Sequence, residues 1–310
     1  MNDVTRKPVW NSWGTVLSES GMTSGEALAE ACLDWDVYQR PISYDDKFGF
    51  TKDIPNQFVN VRDGLHTPLG IVGDNYKVLQ NRDAFQFGDD VLHQSGAHWI
   101  TAGSQKQGKT VWMTARLPES LYVGGLEEEA VEQFLVFSNS HDGSSAVRCM
   151  ITPVRAWCQN TLTLAVKNAH RMFKIRHTQS LNGRLVEARK VLELSLKYSE
   201  LLVDDMTSLL NESFSMNEWH DLLDELFPMP DSKRGATVAS NNWHHLNDIL
   251  YETPDLQNIK GTKYGALQAV IEWNDHHVKG RGVNALENKF DQVLTQRNIT
   301  HRAYDLLSVV

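Results

Sequence analysis

The chain has 310 residues, 41% hydrophobic and 22% charged, and carries 30 Lys and Arg against 39 Asp and Glu, a formal net charge of −9. That composition supports a folded protein with one large core or two smaller ones and excludes a disordered or low-complexity chain. No apolar run approaches the roughly 20 residues needed to span a bilayer, and Met1 to Trp13 lacks the cationic, apolar, small-residue order of a secretory leader, so no membrane association and a cytoplasmic location are expected. Cys32, Cys149 and Cys158 are odd in number and form no Cys-x-x-Cys pair, which argues against a disulfide framework and a structural zinc site.

In chain order, residues 1–22 show no clear periodicity and read as an N-terminal arm. Thr23-Ser24-Gly25-Glu26 is a capping-box pattern ahead of an apolar run at Ala27, Leu28, Ala31 and Cys32, and predicts a short helix. The period then changes to two. Trp35, Val37 and Tyr38 predict a strand, Phe58, Val59 and Val61 a second, and Leu69, Ile71 and Val72 a third, with Asp63-Gly64 and Gly73-Asp74 as turns. Asn81 to His93 reads as a helix. Four further strands follow, at His98–Gly103, Thr110–Leu117, Glu132–Ser138 and Ala146–Thr152, spaced as hairpins rather than crossovers.

Gln159 to His170 has helical spacing, Phe173 to His177 reads as extended, and Leu185 to Asn211 predicts a long amphipathic helix. Helices are expected at Met216–Phe227, Asn242–Tyr251, Thr262–His277 and Ala285–Arg297, with Asp231–Ser240 as a polar loop. The fold class is therefore α+β, with mainly antiparallel sheets and packed helices in residues 23–182 and a helical part in 183–310.

Charge is segregated along this order. Ser140 to Lys190 holds nine Lys and Arg against Asp142 and Glu187, a local charge of +7 in an acidic chain. Such a segment suits an anionic ligand. Arg148, Arg155, Lys167, Arg171, Lys174, Arg176 and His177 are the candidate phosphate contacts, with Trp157 and Phe173 as aromatic surfaces on which bases could stack. Asn160 or Thr161 is the expected N-cap of a helix beginning beside Arg155, which would add a helix-end anion site.

Other motifs each have two readings. Ser140-His141-Asp142-Gly143-Ser144 is a hairpin turn, since Asp-Gly favours one, or a polar dyad of His141 and Asp142 for phosphate or metal. Cys158 is a buried thiol or a nucleophile at a helix start. Gly103-Ser104-Gln105-Lys106-Gln107-Gly108-Lys109-Thr110 matches the spacing of a phosphate loop, but the strand-like residues after it point to a hairpin turn. His244-His245 and His276-His277 are adjacent pairs that diverge on a helix and read as surface or partner-helix positions. No metal site and no cofactor are expected.

The runs Leu33-Asp34-Trp35-Asp36-Val37, Leu69 to Tyr76, Ser140 to Ser144, Thr152-Pro153-Val154-Arg155, Cys158 to Thr161, Ile175 to Thr178 and Gly261 to Ala266 with Asp275-His276 resemble the phage- and plasmid-encoded family known as domain of unknown function 932. The resemblance implies a mobile-element setting in a bacterial cell and supplies no activity. The order helix, three strands, helix is similar to the core of single-strand annealing proteins such as Red-beta and Erf, an analogy of topology alone.

The favoured reading is a DNA-metabolism protein that binds single-stranded nucleic acid through the basic segment, with strand annealing or recombination as its wider role and a homo-oligomer as its form. One alternative is an enzyme processing nucleic acid or nucleotides at His141, Asp142, Cys158 and His177. The other is an oligomeric or host-interaction protein without nucleic-acid binding.

Overall fold

The computed structural model describes residues 9–144, 147–156, 160–162, 164, 172–174, 181–278 and 299–308, with backbone alone for 9, 181–185 and 188. Its architecture is α+β, with antiparallel sheets in the N-terminal part and helices in the C-terminal part. Helix α1 (Ser24–Glu30) starts as its sequence dictates: the Thr23 hydroxyl accepts from the Glu26 N–H while the Glu26 carboxylate accepts from the Thr23 N–H. Strands β2 (Val37–Asp45), β3 (Thr51–Arg62) and β4 (Thr67–Gly73) form the expected antiparallel meander. β2 and β3 are longer than the apolar pattern indicates. β4 pairs with β3 from Gln57 to Arg62, so Ser43–Asp45 and Thr51–Asp53 pair with each other as a two-stranded ribbon beyond it.

After α2 (Asn81–Ser95), the main sheet runs β1-β5-β6-β7-β8-β10, from β1 (Thr15–Val16), β5 (His98–Gln105), β6 (Thr110–Tyr122), β7 (Ala130–Ser140), β8 (Arg148–Arg155) and β10 (Met172–Lys174); the short β9 (Asn160–Thr161) also pairs with β8. Asn160 and Thr161, expected to cap a helix, are thus strand residues opposite Arg155 and Val154. The rest of the helix expected to His170 lies outside the described residues, Leu162 and Leu164 apart. The N-terminal arm is not free from residue 10 onward. Trp10 is buried against Trp112, Phe134 and Val154 on one face of the sheet, and β1 pairs with β5.

The opposite face carries the main core. Val111, Met113 and Ala115 of β6, Leu135 and Phe137 of β7 and Cys149 and Ile151 of β8 alternate toward it, as period-two strands must. Phe85, Val91 and Leu92 of α2 pack there, and so do Val191, Tyr198, Leu202, Met206 and Leu209 of α3 (Leu181–Asn211). The helical part continues the same cluster through α4 (Met216–Leu226), α5 (Lys233–Glu252), α6 (Lys263–Glu272) and α7 (Ile299–Leu307). The division expected at 182–183 falls inside the first turn of α3. Residues 233–240, expected as a loop, are helical because the Ser232 hydroxyl caps α5 by accepting from the Gly235 N–H at 3.2 Å. The helix expected at 285–297 lies outside the described residues.

Candidate functional site

Three of the sequence runs meet where the small sheet abuts the hairpin ends of the main sheet. Ser140–Ser144 begins the β7–β8 connection, with Gly143 at φ +81°, so the turn reading of this motif holds for the described residues. The backbone of Asp142 lies directly against Gly70 of β4: a Cβ built on Gly70 would sit 2.5 Å from the Asp142 Cα. The Asn60 amide donates to the His141 carbonyl at 2.6 Å, the Tyr76 hydroxyl to the Ser140 carbonyl at 3.2 Å, and the His141 N–H to the Lys109 carbonyl at 2.7 Å. Lys109 is the lysine of the Gly-x-x-x-x-Gly-Lys-Thr run, whose residues 106–109 form the β5–β6 turn. Lys106, Gln107 and Gly108 there adopt left-handed φ of +52°, +61° and +99°, and no helix follows.

His141 and Asp142 do not act on each other as a hydrogen-bonded dyad. The His141 ring is fully buried, its Nε2–H donates to the Asn81 Oδ1 at 2.8 Å, and burial lowers its pKa to about 4, slightly offset by the charge of Asp142. Burial pushes the Asp142 carboxyl up, but the Ser140 and Ser144 hydroxyls, the Ser144 N–H and the nearby Lys109 outweigh it and hold the group below the usual range. Trp35 closes the junction, with the Arg62 guanidinium 4.5 Å from its ring centre and the His141 ring at 5.4 Å. Trp35 Nε1, Asn60 Oδ1, Arg62 Nε and His141 Nδ1 are buried there with no hydrogen-bond partner among the described residues. Buried polar atoms are nearly always paired, so four such atoms at one junction mark a polar region that the described residues do not satisfy by themselves.

The basic segment divides differently from its sequence. Arg148 and Lys174 are register partners across β8 and β10, and Arg148 also faces Ser138 of β7, so the two cations project from the same side of the sheet. Lys174 is exposed and Arg148 partly so. Arg155 is a correction. It is 1% exposed, its Nε and Nη2 donate to both oxygens of the fully buried Glu129, the former at 2.6 Å, and Nη2 also donates to the Asp255 carbonyl at 2.9 Å. A guanidinium spent on an internal carboxylate and a backbone carbonyl is not presented to a phosphate. Phe173 is half-buried and packs against the main core, which limits it as a stacking surface. Trp157, Lys167, Arg171, Arg176 and His177 lie outside the described residues, as does Cys158.

The remaining runs build the contact between sheet and helices. Asn160 donates to the Gln268 Oε1 at 3.0 Å, and both the backbone N–H and hydroxyl of Thr161 donate to the Asp275 carboxylate, the former at 2.9 Å. Asp275 lies in a π-helical turn, Trp273–His277, that continues α6; His277 sits 3.3 Å from Glu272 and edge-on to His245 at 4.7 Å between ring centres. Thr262 caps α6, and Gly265 is required because a Cβ would lie 2.3 Å from the Ile259 carbonyl oxygen. Among the described residues no group of three or more His, Cys, Asp or Glu side chains is arranged to hold a metal ion. Burial pushes the Cys149 thiol well above its ordinary value, and no described helix is long and apolar enough to cross a membrane. Sequence reasoning missed Glu129, because it closes a Glu-Glu-Glu run that reads as solvated, and missed Asn60 and Arg62, which carry no local signal.

An α+β protein with a polar junction between two sheets and a cationic edge on the larger one is the class these features define. The chain belongs to the family described as Domain of unknown function (DUF932), whose model matches residues 68–302. The match begins in β4, so Leu33–Val37 and the first two strands of the meander precede it. No curated protein and no solved structure matches the chain.

Proposed function

We propose that the protein binds single-stranded nucleic acid along the β8–β10 edge of its main sheet. The observation that carries this reading is the side-by-side placement of Arg148 and Lys174 on one face, within the +7 segment of a −9 chain. Lys and Arg that neutralise phosphates release condensed counterions, and this supplies most sequence-independent affinity. β10 is the last strand of the described sheet order, so an extended polymer can follow its edge without displacing another strand. The phage or plasmid setting implied by the family resemblance suits a DNA-metabolism role, with annealing or recombination as the wider process.

Fluorescence anisotropy with a labelled single-stranded oligonucleotide at several salt concentrations tests the reading. The Arg148→Ala/Lys174→Ala variant should bind all sequences more weakly, with a log–log salt slope shallower by about 1.4, since each lost phosphate contact on a single strand is worth about 0.7. Absence of binding at low salt, or an unchanged slope in that variant, refutes it.

A further inference from the structure

The four unpartnered atoms at the junction of the two sheets come from three separate stretches of chain, yet they form one chemical set. Asn60 and Arg62 share a face of β3, because residues two apart on a strand point the same way. That face meets the other two side chains. The Asn60 amide donates to the His141 carbonyl at 2.6 Å, and the Trp35 ring centre is 4.5 Å from the Arg62 guanidinium and 5.4 Å from the His141 ring centre. Neighbouring bonds set the role of each unpartnered atom. Trp35 Nε1 and Arg62 Nε carry hydrogens and can only donate. The Asn60 nitrogen is committed to the His141 carbonyl, so Asn60 Oδ1 is an acceptor; the His141 Nε2–H is committed to Asn81 Oδ1 at 2.8 Å, so His141 Nδ1 is an acceptor too. The set is therefore two donors and two acceptors, and Asn60 and His141 are both 0% exposed.

We infer that this junction is a binding site for ordered internal water, which accepts from Trp35 and Arg62, donates to Asn60 and His141, and so ties the small sheet to the turn after β7. Three observations select water. Its two hydrogens and two lone pairs are the complement of the set, and buried water characteristically makes two to four bonds to polar groups that the protein leaves unpaired. Charge excludes simple ions. An anion could take the two N–H groups but would press against the Asn60 and His141 lone pairs and lie beside the Asp142 carboxylate, whereas a cation would face the Arg62 guanidinium. Space excludes an organic ligand, because the chain closes on the junction from two sides: a Cβ on Gly70 would sit 2.5 Å from the Asp142 Cα, and one on Gly108 3.0 Å from the Trp35 ring. The site is separate from the β8–β10 edge, and the inference stands or falls independently of nucleic-acid binding.

Two measurements on the wild-type full chain test it, so neither depends on a variant that folds. A high-resolution crystal structure should show solvent density within about 2.7–3.2 Å of each of the four atoms. In solution, magnetisation transfer from water to the Trp35 indole N–H should give nuclear Overhauser effects of opposite sign in the laboratory and rotating frames, the signature of water that stays bound while the protein tumbles. Same-sign effects, which report only fleeting surface hydration, overturn the inference. So does a crystal structure in which the four atoms have turned to protein partners, or in which no density lies between them. Density that contacts Trp35 and Arg62 alone and gains an anomalous signal when bromide replaces chloride overturns it in favour of an anion, and density continuous over several atoms overturns it in favour of an organic ligand.

Discussion

Replacing Arg155 by Met tests whether the guanidinium is an internal strut or a phosphate contact. The substitution leaves the carboxylate of Glu129, which is 0% exposed, without its cation and held by the Asn258 amide at 3.1 Å. Breaking a buried ion pair by removing one partner costs about 3–5 kcal/mol. An unfolding entropy of about 2.1 cal/mol/K per residue over 310 residues converts each kcal/mol into about 1.5 °C, so the midpoint should fall by about 6 °C. Thermal melts by circular dichroism measure this directly. The Arg155→Met/Glu129→Leu pair removes both charges and should recover much of the loss, and a double-mutant cycle should return a coupling of several kcal/mol. The salt slope of oligonucleotide binding should not move. A midpoint within about 1 °C of wild type, or a salt slope shallower by about 0.7, would refute the strut.

Two further outcomes follow from the junction between the sheets. His141 is buried neutral, with its pKa lowered to about 4 from an unfolded value near 6.5. The unfolded chain binds this proton first, so the stability is intact above about pH 6.5 and is lost as pH falls toward 4, by about 3 kcal/mol in total. Urea midpoints between pH 7 and 4.5 should fall more steeply in wild type than in His141→Gln, and equal slopes would falsify the assignment. Gly70→Ala should force β4 away from the Asp142 backbone and cost about 1–3 kcal/mol, read as a melting midpoint lower by a few degrees; a midpoint unchanged or raised would mean that the two sheets are not in the contact described.

Local chemistry made much of this fold legible. Thr23 with Glu26 announces α1 and Asp142-Gly143 a turn, because in both cases the residues that satisfy the backbone lie within a few positions of one another. The strand character of Val111 to Arg116 was enough to separate the Gly-x-x-x-x-Gly-Lys-Thr turn from a phosphate loop. What was not legible depends on distant partners. Arg155 reads as a surface cation until β7 and β8 are in register and Glu129, 26 positions earlier, is beneath it. The ribbon of β2 and β3 shows no alternation because both its faces meet solvent and Pro41 and Pro55 interrupt it. Residues 233–240 are polar and contain Gly235, so only the Ser232 cap marks their helix. The junction of Trp35, Asn60, Arg62 and His141 is assembled from separate runs, and no spacing rule brings them together.

Helix α3 has 31 residues, about 46 Å at 1.5 Å per residue, and two neighbouring turns of it are tied one to the sheet side and one to α7. Tyr198 donates to the Leu164 carbonyl beside the sheet at 2.6 Å, and Tyr304 of α7 donates to Asp205 at 2.6 Å. A rod pinned to both layers transmits torque instead of absorbing it. Rotation of the described helices against the sheet would have to break these bonds and shear one continuous apolar cluster. Ligand-driven motion is therefore to be sought in the solvent-facing ribbon, where few buried contacts resist it.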